Sequence, residues 1–361
     1  MFIIIRFWII HGTIRDIVLK RMKIYYYLIA VCLVAPGCTK KESGKNIEIS
    51  VNAKIGLSSN VAKNPYRLAI QDDHMFLLDP GSYNTVLHFD TLGNYLGSFG
   101  PVGQGPGELG NVSFFCGFNN NNIFISSWKV INIYNINTNQ FIKRIVNKSF
   151  GRPVQLFLNY IVSWGLNDDY LLVANKLTDS LEISLTDSLL IGPYGEIPEL
   201  LPCKYNPYLK QGQLFSIDSI LYQSFYNSSD VVGYNSLGRV VFKTSKPNNY
   251  LMSEVGYGDF KHSPARNKYP EVNIAITGDN KYIYVLYSGT ILKTQRDVLF
   301  NKGALGQGEI LNVYDKHTSE FLGSYQLPYP VRDIVATQSC IYALSVDPEV
   351  AVYKLKKPLD M

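Results

Sequence analysis

Helical periodicity is almost absent from this chain, and so are the compact signatures of catalysis. Short runs of β-branched and aromatic residues alternate instead with clusters of Gly, Asn, Asp and Ser, a pattern of strands and turns. No GxSxG elbow, HExxH pair or clustered Asp/His set occurs, so no hydrolase nucleophile or metal site can be read from local spacing. Cysteine is scarce and never falls in Cys-x-x-Cys or Cys/His spacing. Charged residues make up 17% of the chain, against about 25% in an ordinary globular protein. The formal net charge of +5 is concentrated at one end: residues 1–37 hold Arg6, Arg15, Lys20, Arg21 and Lys23 against Asp16. The remainder is close to neutral and has no basic stripe, so nucleic acid is not expected as a partner. The apolar stretch from Ile24 to Gly37 is shorter than the roughly 20 residues a membrane span needs.

That stretch follows Arg21 and Lys23, as the apolar region of a secretory signal does. It ends in Ala35-Pro36-Gly37-Cys38, which resembles a bacterial lipobox with Ala35 where leucine is usual. The resemblance implies acylation of Cys38 and cleavage before it. Residues 1–37 are then a signal peptide, with 1–21 an upstream extension and Met22 the true start. Residues 38–45 are a lipidated tether, and 46–361 form the folded domain. Of the five cysteines, Cys116, Cys203 and Cys340 remain after processing and are expected as free thiols, the first and last buried.

What the chain does contain is a repeated hairpin. An apolar strand ends in Tyr or Phe, followed by Asp or Asn, a turn and a second strand. It appears at Val86–Asp90 with Tyr95–Phe99, at Val130–Asn135 with Phe141–Ile145, at Val231–Asn235 with Val240–Phe242, and at Leu311–Asp315 with Phe321–Tyr325. The turns need residues that tolerate φ > 0, hence their Gly and Asn. A further strand pair precedes most copies, giving about four strands per unit, the content of a propeller blade. Six blades are expected, near 65–100, 110–147, 152–195, 210–245, 270–328 and 330–357. The last shows three strands of its own, and the alternating run Asn46–Lys54 is expected to supply the fourth and close the ring.

Gly103-Gln104-Gly105-Pro106-Gly107-Glu108, after a strand pair ending in Phe99-Gly100, resembles a corner of the six-bladed TolB-like and NHL-like propeller lipoproteins of Gram-negative bacteria. Ile283–Gly289 and Ile341–Leu344 are similar to later blades of that group, and Gly306-Gln307-Gly308-Glu309 echoes the corner. The resemblance covers most of residues 46–357. It implies an all-β, six-bladed β-propeller with four-stranded antiparallel blades, and carries over no catalytic residue.

The corner lacks a following Gly-Lys-Ser/Thr and a following helix, so Gly103, Gly105, Gly107 and Glu108 read as a structural turn and not a phosphate cradle. Arg67 opens an innermost strand and is a candidate to face the central channel. Trp128, Trp164 and Tyr257 are candidate ligand contacts, Tyr257 within the long connection Pro247–Pro270; a second long segment is Ser288–Gly308. The function expected is that of an exported, lipid-anchored, monomeric binding or scaffold module for a protein, peptide or glycan. Thr39 after the cysteine favours the outer membrane of the cell envelope. No cofactor is expected for this role. The alternative is a propeller enzyme of lactonase, lyase or sugar-dehydrogenase type with Ca²⁺ or Zn²⁺ in the central channel.

Overall fold

A computed structural model describes residues 47–57, 61–110, 113–127, 129–146, 154–164, 169–196, 211–226, 228–245, 271–290 and 306–360. Among them, no helix is long and apolar enough to cross a membrane. Two strands open the chain, β1 (Ile47–Glu48) and β2 (Val51–Gly56). Blade one is β3 (Arg67–Gln71), β4 (His74–Leu78), β5 (Asn84–Asp90) and β6 (Tyr95–Pro101). Blade two is β7 (Ser113–Asn119), β8 (Asn122–Ser127), β9 (Val130–Asn135) and β10 (Phe141–Val146). Blade three is β11 (Val154–Phe157), β12 (Tyr160–Trp164), β13 (Tyr170–Leu177) and β14 (Ile183–Pro193). Blade four is β15 (Gly212–Ile217), β16 (Ile220–Phe225), β17 (Asp230–Tyr234) and β18 (Val240–Ser245). Blade five is β19 (Glu271–Gly278), β20 (Tyr282–Thr290), β21 (Gly308–Asp315) and β22 (Phe321–Val331). Blade six is β23 (Asp333–Ala336), β24 (Ile341–Ser345) and β25 (Ala351–Leu355), completed by β2. The fold is the expected six-bladed, all-β propeller with antiparallel blades.

The closure is more divided than the sequence suggested. Asn46–Lys54 was expected to form one strand on blade six, but the described part of this run serves two blades. β1 pairs in parallel with β22 at the outside of blade five, and β2 pairs antiparallel with β25. The break falls at Ile49-Ser50. Ile49 donates its N–H to the Gln326 carbonyl and buries its side chain between blades five and six. Ser50 then accepts from the Lys356 N–H, which hands the chain to blade six.

The repeated hairpin works by the same physics in four blades. The Asp or Asn closing the third strand accepts backbone N–H groups of the turn through its side chain. Asp90 Oδ1 takes Leu92 and Asn94 at 2.9 and 2.8 Å, and Asn135 Oδ1 takes Asn137 and Thr138 at 3.0 and 3.1 Å. Asn235 Oδ1 takes Leu237 and Arg239, both at 3.0 Å, and Asp315 Oδ1 takes His317 and Thr318 at 2.9 and 2.7 Å. These are Asx turns, which short carboxylate and amide side chains form at little entropic cost. The turn then needs one residue at positive φ, supplied by Gly93, Asn139, Gly238 and Ser319. In blades one, two and five the preceding aromatic meets one on the outer strand: Phe89 with Tyr95 at 5.5 Å, Tyr134 with Phe141 at 5.9 Å, Tyr314 with Phe321 at 5.5 Å. Such pairs add about 0.5–1.5 kcal/mol beyond the area they bury.

Six apolar clusters form the core, each shared by neighbouring blades around the ring. Blade six meets blade one through Leu344 and Val352 against Leu68, Met75 and Phe89. The burial of every strand therefore depends on the next blade. Cys116 and Cys340 lie within these cores as free thiols, and burial pushes the Cys116 thiol up to about 12, so it is an apolar filler at neutral pH. Cys203 lies outside the described residues.

Candidate functional site

Each blade begins at its channel strand and works outward. The six channel strands β3, β7, β11, β15, β19 and β23 run in step. The starts of β3 and β23 meet where Asp333 Oδ2 accepts the Leu68 N–H at 2.9 Å, and the ends of β19 and β23 meet where Thr277 Oγ1 accepts the Ala336 N–H at 2.9 Å. All six strands enclose one cavity of about 490 Å³, within the range of small-molecule sites, about 300–1,000 Å³. Phe114, Phe115, Phe118, Phe215 and Ile276 supply much of its wall, and Arg67, Gln155, Gln213, Ser216, Thr277 and Asp333 supply the polar groups.

Most of these polar groups are committed to bonds within or between blades. Gln155 Nε2 donates to Ser216 Oγ at 3.2 Å, and Ser216 Oγ donates to the Leu156 carbonyl at 3.0 Å. Gln213 Nε2 donates to the Tyr226 hydroxyl. Asp333 accepts the Leu68 and Ile334 N–H groups on its two oxygens. Arg67 differs. Its Nη1 stands 3.8 Å from Asp333 Oδ1, too far for a hydrogen bond, and its guanidinium carbon lies 5.7 Å from the centre of the Phe114 ring. Its Nε is buried with no partner, alone in this respect among the described residues lining the cavity. Burial disfavours the cation, but Asp333, with smaller help from Tyr226 and Tyr66, more than offsets this and holds the guanidinium charged. Burial pushes the Asp333 carboxyl up, opposed by Arg67 and the two backbone donors.

The described residues do not assemble a Ca²⁺ or Zn²⁺ site. No group of three His, Cys, Asp or Glu side chains converges among them, and the carboxylate described in the channel, Asp333, already holds two N–H donors beside a cation. The other candidates fall elsewhere. Trp164 ends β12, half-buried, and packs against the core shared by blades three and four instead of lining the cavity. Trp128, Tyr257, Pro247–Pro270 and Cys38 lie outside the described residues, as do residues 291–305 of the Ser288–Gly308 segment.

The glycine-rich corner joins β6 to β7 and is clamped from blade two. Arg144 donates to the carbonyls of Gln104, Gly105 and Glu108, Asn132 donates to the Glu108 carbonyl at 2.7 Å, and Tyr134 donates to that of Gly107 at 3.0 Å. Glu108 Oε2 accepts the Gly105 N–H at 2.6 Å. A Cβ on Gly103 would sit 2.1 Å from that carboxylate, and Gly107 has φ +76°. Gly103, Gly105, Gly107 and Glu108 thus hold a compact loop whose carbonyls take up the donors of Arg144.

Sequence reading missed one polar chain. His74 opens β4. Its Nδ1 lies 2.8 Å from His88 Nε2, and His88 Nδ1 lies 2.8 Å from Asn139 Oδ1 of blade two. Burial lowers the His88 pKa, so it is a neutral link between blades at pH 7. His74 and His88 stand on the paired strands β4 and β5 and Asn139 on the turn after β9, and no local spacing announces them.

Residues 57–150, the first two blades, match the model of the DUF5128 family, described as a 6-bladed β-propeller. No curated protein matches the chain. Among solved structures, a Bacteroides fragilis protein assigned as exported is similar at a TM-score of 0.53 and 13% identity, over 87% of this chain and 97% of that one. A member of the DUF4221 family from Bacteroides vulgatus is similar at 0.49 and 12%, over 86% and 98% of the two chains. Streptogramin B lyase is similar at 0.44 and 14%, over 84% and 87%. At such identities the likeness is one of fold.

Proposed function

We propose that the protein is an exported, lipid-anchored propeller of the TolB-like or NHL-like kind, acting as a monomeric binding module whose ligand enters the mouth of the central channel. The observation that carries this reading is the cavity itself: an aromatic and aliphatic wall interleaved with six polar side chains, one of them a cation with an unpartnered Nε donor. A protein, peptide or glycan would engage the face on which the channel strands begin. The strand ends at Pro193 and Gly212, Ser245 and Glu271, and Thr290 and Gly308 lie on that same face by the antiparallel order of the blades. Phe115 lines the cavity, whereas Tyr95 is 41% exposed on an outer strand. With p-benzoylphenylalanine at each position in turn, illumination in cells is expected to give ligand adducts from position 115 and none from position 95. Adducts from position 95 alone would place the binding surface on the rim.

The anchor rests on Ala35-Pro36-Gly37-Cys38 after its apolar stretch, with the outer membrane as address. The assignment of the Bacteroides fragilis protein of similar fold as exported supports export. Metabolic labelling with palmitate is expected to mark the wild type and to vanish in Cys38→Ala, with the variant moving to the soluble fraction. Equal labelling of both would rule out Cys38 as the lipidated residue.

A further inference from the structure

We propose that the channel mouth takes an organic carboxylate with an apolar body, and that Arg67 is its anchor. This deepens the binding reading above and rests on it. The guanidinium bonds Tyr226 but leaves part of its donor fork unused. Arginine carries five N–H donors in a planar fork suited to gripping a carboxylate through two parallel hydrogen bonds. In Arg67, Nη1 is the atom facing Asp333, and at 3.8 Å it makes no hydrogen bond there. The Nε–H, which lies on the other edge of the fork, has no partner although it is buried. A buried unmatched donor on a cation is costly and is rarely retained without a role.

Asp333 does not fill that role. Its two oxygens accept the Leu68 and Ile334 N–H groups at 2.9 and 3.0 Å, so it balances charge beside the fork without gripping it. The Phe114 ring backs the guanidinium and restricts its swing. Beyond it, Phe118, Phe215, Ile217 and Ile276 offer an apolar wall for the rest of the ligand. Anchor and wall together select an acid with an aryl or alkyl body. The matching neutral compound would leave the Nε donor unmatched.

The test is calorimetric titration of the folded protein with N-acetyl-L-phenylalanine, its primary amide, and octanoate. The acid is expected to bind saturably with a Kd on the order of 1 mM or tighter, and the amide at least about tenfold more weakly, the size of one charge-assisted hydrogen bond. Octanoate separates an alkyl from an aryl preference. Arg67→Lys keeps a cation beside Asp333 while removing the fork, and it is expected to abolish most of the preference for acid over amide. Ile217→Trp, which crowds the apolar wall away from the ion pair, is expected to weaken acid and amide alike; thermal melting of each variant confirms folding. Equal binding of acid and amide, or an Arg67→Lys protein that still prefers the acid, would overturn the carboxylate assignment and leave the channel reading standing. Absence of binding by all three probes would overturn it as well, while cross-linking from position 115 would decide the channel reading separately.

Discussion

Lys357→Met is expected to lower stability by about 3–5 kcal/mol, the cost of leaving a buried carboxylate without its cation. Lys357 Nζ sits 2.5 Å from Asp279 Oδ2, with side chains 5% and 1% exposed, and also donates to the Gln338 carbonyl at 2.9 Å. Asp279 further accepts the Lys281 and Tyr282 N–H groups and the Tyr284 hydroxyl. The pair fastens the segment after the last strand to blade five, so its loss loosens the ring near its closure. For a domain of this size the change corresponds to a fall of roughly 5–8 °C in Tm. Asp279→Asn in the same chain should restore much of the loss, because no charge is then stranded.

The effect of this variant depends on pH. In the wild type, burial would raise the Asp279 carboxyl, but Lys357, the two backbone donors and Tyr284 outweigh it and hold the group below the usual carboxylate range. A depressed carboxyl contributes stability that is full above its unfolded value, near 4, and is lost as pH falls through the folded value. Without Lys357 the burial that raises the group loses its largest opponent. The gap in Tm between wild type and Lys357→Met should therefore narrow between pH 7 and about pH 4. A gap that is constant over that range would show that the ion pair is not the cause.

The second large effect concerns closure. A chain beginning at Leu57 lacks β1 and β2 and loses the buried side chains of Ile49 and Ile55. Large buried aliphatic residues each contribute about 2–5 kcal/mol, so the loss is comparable to the roughly 5–15 kcal/mol that holds an ordinary domain folded. The edge of β25 would also be left open to pairing with other chains. The truncated protein is expected to run as aggregates on size exclusion and to regain a monomeric, cooperatively melting form when a peptide of residues 46–57 is supplied. A truncated chain that melts within a few degrees of the full one would mean that closure is not what holds the ring.

Much of this architecture was legible because it is locally encoded. The aromatic followed by Asp or Asn signals a hairpin through contacts within a few residues, as at Phe89-Asp90 and Tyr314-Asp315. The need of the last blade for an outer strand could be deduced from its three strands. The division of the N-terminal run at Ile49-Ser50 could not, since alternation continues through it and only the fit of Ile49 between two blades breaks the strand. The channel was least legible. Its polar groups come from six strands, and the bond from Leu68 to Asp333 joins residues 265 apart. Arg67 could be placed at the start of a channel strand, but its unused Nε and loose pairing with Asp333 depend on blades one and six meeting. Trp164 was conspicuous by type, yet its place against the core was set by blade four.

The most direct test of the channel as the working site is methyl NMR of isoleucine-labelled protein during titration with N-acetyl-L-phenylalanine. Ile70, Ile217, Ile276 and Ile334 line the cavity, whereas Ile142 is 44% exposed on an outer strand. The expected result is saturable shifts in the four channel methyls with Ile142 unmoved, and loss of those shifts in Arg67→Lys. Shifts centred on Ile142, with the channel methyls silent, would contradict it.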